Sequence, residues 1–313
     1  MSAPIVTVDI PLSPALTEMI EHVGELRLWD TGIAPGSPTA ALFTYGHPPV
    51  DDAMMAALPA LKVISNFGVG VDHVDVAAAA ARGIPVGNTP GEVDGSTADM
   101  TMALILATAR NMVVGDRFAR SAEFTIYDPS LLIGTEVHGA TLGIIGMGAI
   151  GKQVARRASG FDMEVLYHNR NRDAAAEAEL GVRYAPLDEL LRHCQFVTLN
   201  VPMTPETHHL IGKDELRAMR SDAILVNAAR GGVVDTDALY EALTAGWIRA
   251  AGLDVTDPEP LPRDHRLLAL DNLVIMPHLG SAADRSRQRM AEMAVANLRA
   301  GLEGRPLPTA VTT

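Results

Sequence analysis

The chain has 313 residues, 48% apolar and only 4% aromatic, with a net charge of −13 at pH 7. That length predicts two domains at about 100–200 residues each, and the acidity argues against nucleic acid or an anionic membrane as the main partner. Cys194, the one cysteine, cannot close an intramolecular disulfide. No basic stretch precedes an apolar one in residues 1–9, and the most apolar helical stretch, 102–109, falls far short of the ~20 residues that span a bilayer. A cytoplasmic protein is expected.

Taken along the chain, strands are expected at 5–8, 41–44, 62–66, 141–145, 164–167, 196–201, 223–228, 250–254 and 273–276. Helical patterns lie between them, at 51–57, 77–81, 150–159, 187–192 and 236–245. Continuous apolar strands separated by helices indicate βαβ units and parallel sheets covered on both faces. The strands fall into two series, one ending near Asn88 and one running from Leu142 to Met276. A long helix over 96–119 bridges them, too apolar for an exposed linker and expected to pack between the domains. A second long helix, 283–302, is expected to return to the first domain. The expected division is therefore residues 1–98 with 285–313 as a discontinuous substrate domain, and 99–284 as a dinucleotide-binding domain.

Gly146-Met-Gly148-Ala-Ile-Gly151 follows the strand 141–145 directly and opens an amphipathic helix. Alone such a motif is weak; between a buried strand and a helix it is a dinucleotide signature. Gly146 permits the tight turn, Gly148 lets the backbone approach a pyrophosphate, and Gly151 allows helix and strand to pack closely. The helix N-terminus offers N–H groups to that pyrophosphate. The next strand ends Tyr167-His-Asn169-Arg170-Asn-Arg172. A site for NAD places a carboxylate there for the ribose hydroxyls, and none is present before Asp173, which opens the next helix. Asn169 does not repel a 2′-phosphate, and Arg170 and Arg172 can pair with one. NADPH is therefore the expected cofactor, with NADH possible; a solvated loop whose arginines meet only water is the alternative.

The sequence resembles the D-isomer-specific 2-hydroxyacid dehydrogenase family across nearly its whole length. The carrying segments are Asn66-Phe-Gly-Val-Gly-Val-Asp-His-Val-Asp75, the glycine motif, Val201-Pro-Met-Thr-Pro-Glu-Thr207, Leu225-Val-Asn-Ala-Ala-Arg-Gly-Gly-Val-Val-Asp235, Gly252-Leu-Asp-Val-Thr-Asp-Pro-Glu-Pro260 and Pro277-His-Leu-Gly-Ser281. Within the family, the ending Tyr-His-Asn-Arg and the first segment look like glyoxylate/hydroxypyruvate reductases. The resemblance implies a Rossmann-type doubly wound parallel sheet domain, a smaller flavodoxin-like α/β substrate domain, and a homodimer. It implies further cofactor contacts at Thr97, Ala149, Ile150, Pro202, Thr207, Ala228, Ala229, Asp254, Gly280 and Ser281, with Asp254 on the nicotinamide carboxamide. Two departures exist: Ala149 replaces an Arg common inside the family's glycine motif, and the segment before Gly139 lacks a Trp often found there.

Reduction of a 2-keto acid needs a hydride, a proton for the developing alkoxide and a cation for the carboxylate. His278 follows the strand 273–276, and imidazole changes charge near neutral pH. Glu259 is its expected partner, since a carboxylate beside imidazole favours the imidazolium. Arg230, after the strand 223–228, is suited to grip the substrate carboxylate and polarise the keto oxygen. The turn Gly68-Val69-Gly70 would offer N–H groups of Val69 and Gly70 to the same carboxylate, the two domains facing each other across it. The alternatives weighed are structural: a strand-end histidine, a surface arginine, and a Glu259 that merely caps its Pro-rich turn. His208 and His209 resemble metal ligands as a pair, but adjacent residues on a helix diverge and no carboxylate accompanies them, so no metal is expected. A phosphoglycerate dehydrogenase-like enzyme, set against the chain's end at Thr313, and a dinucleotide-sensing corepressor-like scaffold are the competing readings.

Overall fold

Both faces of each short Val/Ile/Leu run are apolar, so each strand must be covered twice. The computed structural model describes residues 3–29 and 34–312; Met1, Ser2 and Thr313, touched by the sequence reading, lie outside them. The chain divides into two compact units, Met1–Val93 with Ala282–Thr313, and Asp94–Ser281.

Unit 1 begins β1 (Ile5–Val8), α1 (Pro14–Glu21), β2 (Glu25–Leu28), β3 (Thr39–Thr44), α2 (Asp52–Ala57), β4 (Val63–Asn66), α3 (Val76–Ala81) and β5 (Val86–Gly87). Unit 2 holds α4 (Asp94–Ala109), α5 (Met112–Ala119), β6 (Thr141–Ile145), α6 (Ala149–Ala158), β7 (Glu164–His168), α7 (Ala174–Leu180), β8 (Arg183–Tyr184) and α8 (Leu187–His193). It continues with β9 (Phe196–Leu199), α9 (Lys213–Ala218), β10 (Ile224–Asn227), α10 (Thr236–Ala245), β11 (Ala250–Leu253) and β12 (Leu273–Ile275). α11 (Asp284–Leu302) then belongs to unit 1.

The first sheet runs β2-β1-β3-β4-β5, and the second β12-β11-β10-β9-β6-β7-β8; every strand pairing is parallel. The first is the flavodoxin-like order. The second extends the two-halved Rossmann order, with its topological switch between β6 and β9. Alternation along β6 shows how the second sheet is covered. Leu142 and Ile144 face α4 and α6 with Val154, Ala155 and Ala158, while Ile145 faces the other layer with Leu190 and Leu191 of α8. In unit 1, Val6, Ala41 and Phe43 face α1 and α11, and Leu42 and Ile64 face α2 and α3. Ser65 donates its hydroxyl to the Ala294 carbonyl at 2.9 Å, pinning α11 onto β4.

The structure departs from the sequence reading in three places. β2, β5 and β8 were not expected: β5 and β8 are two-residue strands, and β2 and β8 are edges bearing Glu25, Arg27 and Arg183, without the apolar run that marks a central strand. The single helix expected over 96–119 is two, because Asn111 adopts φ 54, a left-handed conformation that asparagine tolerates. The units divide at 93/94 and 281/282 rather than 98/99 and 284/285, so that α4 falls whole into unit 2 and α11 whole into unit 1. No described helix is long and apolar enough to cross a membrane.

Candidate active site

Parallel register sets the site before any side chain does. Ile145 pairs with His168 and Leu199, Asn227 with Leu199 and Leu253, and Leu253 with Ile275. The carboxyl ends of six neighbouring strands are therefore level, and ligands of open α/β sheets bind at that edge. Every unit 2 residue that the sequence suggests for catalysis or cofactor binding, Thr97 excepted, lies in a loop or helix start leaving it.

The glycine turn is built as the sequence predicts. Gly146 has φ 102, and a Cβ there would lie 2.6 Å from the Asn200 carbonyl. At Gly151 a Cβ would lie 2.1 Å from the Gly146 oxygen, so only glycine lets α6 start against the turn. At Gly148 a Cβ would meet nothing within 4 Å. Gly148 is the N-cap of α6 and no side chain caps it, so the first N–H groups of α6, at Ala149, Ile150 and Gly151, are left to a ligand. Asn169 accepts a hydrogen bond from the Met147 N–H at 2.7 Å, fastening the end of β7 to this turn.

The two arginines of the β7 loop are not equivalent. Arg172 is already engaged: its Nε and Nη2 donate to the two carboxylate oxygens of Glu177 at 2.7 and 2.6 Å. Glu177 also accepts from the Tyr167 hydroxyl at 2.8 Å. Arg172, and then Tyr167, hold the Glu177 carboxyl below the usual range, while burial pushes the Tyr167 phenol up. Arg170 is exposed and stands near Glu206 in the loop after β9. The Thr204 hydroxyl chiefly, and Arg170 to a lesser degree, lower the Glu206 carboxyl. Thr207 closes that loop, donating to the Pro202 carbonyl at 2.6 Å and accepting from the Thr204 N–H at 2.8 Å.

Arg230 and His278 are each held by a clamp that the sequence reading did not assign. Asn227, buried at the end of β10, accepts from the Ala229 N–H at 3.0 Å and donates to the Arg230 carbonyl at 2.8 Å. Asp254, buried after β11, gathers three consecutive N–H groups. His278 donates to its carbonyl at 2.8 Å, and Leu279 and Gly280 donate to its two carboxylate oxygens at 2.7 Å each. This grip maintains His278 at φ 56, a left-handed conformation that costs a non-glycine residue about 1–3 kcal/mol unless its surroundings enforce it. Thr97 packs beside the clamp, since a Cβ on Gly280 would lie 3.0 Å from Asp254 Oδ2 and 3.3 Å from the Thr97 hydroxyl. His278 Nδ1 lies 2.9 Å from Glu259 Oε1, with the two side chains 31% and 38% exposed, partnered yet reachable.

Unit 1 contains a second turn of interest. Asn66, buried at the end of β4, donates to the carbonyls of Gly68 (3.0 Å) and Gly70 (2.9 Å), while Thr44 donates to its Oδ1 at 2.9 Å. Asn88 donates to the Val69 carbonyl at 2.8 Å. All three carbonyls are thus turned inward, and the N–H groups of Gly68, Val69 and Gly70 donate to no described residue. Elsewhere in unit 1, a groove lined by Lys62, Ile84, Arg305 and Leu307 lies at the amino edge of β4 and β5, the opposite edge from this turn.

His208 and His209 do not diverge as the sequence reading supposed. They lie in a turn, not a helix; His209 has φ 51, and the rings stack with centroids 3.9 Å apart. A carboxylate, that of Asp257, accompanies them.

A doubly wound sheet with a glycine turn at its switch point and a histidine–carboxylate pair farther along the same edge defines a nicotinamide-dinucleotide oxidoreductase. Residues 102–280 match the family described as D-isomer specific 2-hydroxyacid dehydrogenase, NAD binding domain. The chain is 45% identical to a glyoxylate reductase of Korarchaeum cryptofilum, over 98% of its own length and 94% of that protein's. With a glyoxylate reductase of Pyrococcus furiosus the identity is 46%, over 94% and 90%. The solved structure of an NADPH-dependent glyoxylate/hydroxypyruvate reductase of Sinorhizobium meliloti, in complex with NADP and malonate, matches 99% of this chain and 97% of that one, with a TM-score of 0.89 and 31% identity. The chain belongs to the D-isomer-specific 2-hydroxyacid dehydrogenases and is an NAD(P)-dependent enzyme of that family.

Proposed function

We propose that the enzyme reduces small 2-keto acids of the glyoxylate and hydroxypyruvate kind to D-2-hydroxy acids, prefers NADPH, and works as a homodimer. The observation that carries the chemistry is the contact between His278 and Glu259 at the carboxyl edge of β12. Relatives named glyoxylate reductase support the substrate class.

The glycine turn fits a dinucleotide: Gly148 is open, Gly146 has the positive φ that the turn needs, and the start of α6 has N–H groups to spare for a pyrophosphate. Ala149, Ile150, Pro202, Ala228, Ala229 and Ser281 are assigned to the same cofactor. Asn169 stands where a carboxylate would repel a 2′-phosphate, and Arg170 is exposed to bind one. Arg172, engaged by Glu177, supports the loop. The reduced nicotinamide, when bound, supplies the hydride. His278 Nδ1 faces Glu259, so Nε2 is the nitrogen assigned to the keto oxygen; as the imidazolium, it donates the proton that turns the alkoxide into a hydroxyl. Glu259 stabilises the charged ring before transfer, and Nε2 recovers its proton from solvent. Arg230 holds the substrate carboxylate with its forked donors. Asp254 acts as a positioning residue, with Thr97 and Gly280 packed against it. In unit 1, the N–H groups of Val69 and Gly70 are assigned to carboxylate binding.

Exposed Met112, Ile126, Tyr127, Leu131 and Ile133, clustered in one segment of unit 2, support the dimer as a surface to be covered. The test of substrate and cofactor is a panel of small 2-keto acids run with NADPH and NADH. Glyoxylate and NADPH are expected to give the highest kcat/KM. Arg170→Ala is expected to raise the KM for NADPH about tenfold or more, the scale of one charge-assisted bond, with little change for NADH. Arg172→Ala should do less. Equal effects of Arg170→Ala on both cofactors would contradict the assignment.

A further inference from the structure

We propose that His208, His209 and Asp257 form a binding site for one divalent transition-metal ion on unit 2. One donor atom from each lies within 4.8 Å of the others, and all three residues are exposed. The arrangement is held from behind. His209 donates its N–H to the Gly232 carbonyl at 2.8 Å, pinning the turn that stacks the two rings. Thr236 donates its hydroxyl to the Asp257 carbonyl at 2.8 Å, pinning the loop after β11. Gly232 borders the three groups: a Cβ there would lie 2.4 Å from the Met203 methyl, 3.2 Å from Asp257 Oδ2 and 3.7 Å from His208 Cδ2, so the flexible Met203 side chain lines one edge of the site.

Two imidazole nitrogens and one carboxylate oxygen suit zinc, copper or nickel, and not magnesium or calcium, which take oxygen ligands. Zinc bonds of about 2.0–2.1 Å place tetrahedral ligand atoms about 3.3 Å apart. The spread seen here closes by about 1.5 Å through rotation of exposed side chains. Three protein ligands leave the fourth position to water or a small anion. The ion would join the loop after β9 to the loop after β11, and Asp257 lies two residues before Glu259. Drawing Asp257 toward the histidines loosens the Glu259–His278 contact, so occupancy inhibits the enzyme. That consequence rests on the proposed role of Glu259; the binding does not.

The test is calorimetric titration of the untagged full chain with zinc chloride. One ion per chain is expected, with micromolar affinity, and no magnesium binding. His208→Ala and Asp257→Asn should each weaken binding at least about tenfold with the thermal transition retained, whereas His278→Ala should leave it unchanged. Affinity indifferent to His208→Ala and Asp257→Asn, or lost in His278→Ala, would overturn the site. Zinc should also lower glyoxylate turnover in the wild type and much less in His208→Ala. Turnover unaffected by zinc at full occupancy would overturn the inhibitory coupling while leaving the site itself standing.

Discussion

The glycine turn after β4 in unit 1 and the one after β6 in unit 2 leave backbone N–H groups unengaged by described residues, and do so by different means. In unit 2 the helix follows at once, and glycine is required by backbone contacts at Gly146 and Gly151. In unit 1 α3 begins only at Val76, and asparagine side chains do the work: Asn66 and Asn88 draw three carbonyls inward. A turn backed by a helix is specified by residues that lack side chains. A turn without one is specified by amides reaching from neighbouring strand ends.

The largest effect that separates the two designs is expected from Gly151→Ala. Its Cβ would strike the Gly146 oxygen, costing about 3 kcal/mol or more, seen as a lower denaturation midpoint and lost cofactor binding. Gly148→Ala, built into open space, should keep the midpoint and weaken only the cofactor; equal loss of stability in both would break the account of that turn. Asn66→Ala should cost about 1–3 kcal/mol by leaving buried polar groups unpaired, and should raise the KM for the keto acid without changing that for NADPH. A rise in the NADPH KM alone would sink the unit 1 assignment.

The smallest effect concerns the support beneath the unit 2 turn, where Cys194 packs against Gly143. Burial pushes the Cys194 thiol up to about 12 from 9.0. A folded-state value above the unfolded one gives stability that is complete below pH 9 and lost as pH climbs toward 12. The urea midpoint should therefore fall between pH 8 and pH 10, and fall less in Cys194→Ala; identical falls in the two proteins would remove the thiol as the cause.

What the sequence made legible follows from the same contrast. Strand–glycine–helix order exposed the dinucleotide turn because its geometry excludes other residues. The segments carrying Arg230, Glu259 and His278 could be picked out, since each follows an apolar strand or lies in a Pro-rich loop beyond one. The clamps were harder. Asn227 ends β10 and Asp254 directly follows β11, yet which N–H groups they gather depends on level strand ends, and those come from register. An asparagine ending a strand before glycines, as Asn66 does, is the one signal that could have been read. The pairing of Arg172 with Glu177 was not legible, because it spans a loop and the first turn of α7. The two edge strands with charged residues carried no apolar pattern to detect.

The central claim is that His278 protonates the substrate. Its most direct test is the turnover number of His278→Ala with glyoxylate and saturating NADPH, alongside NADPH affinity measured by fluorescence. A fall of about 10²–10⁴-fold in kcat with affinity retained is expected. A variant that binds NADPH normally and turns over within a few-fold of the wild type would contradict the account.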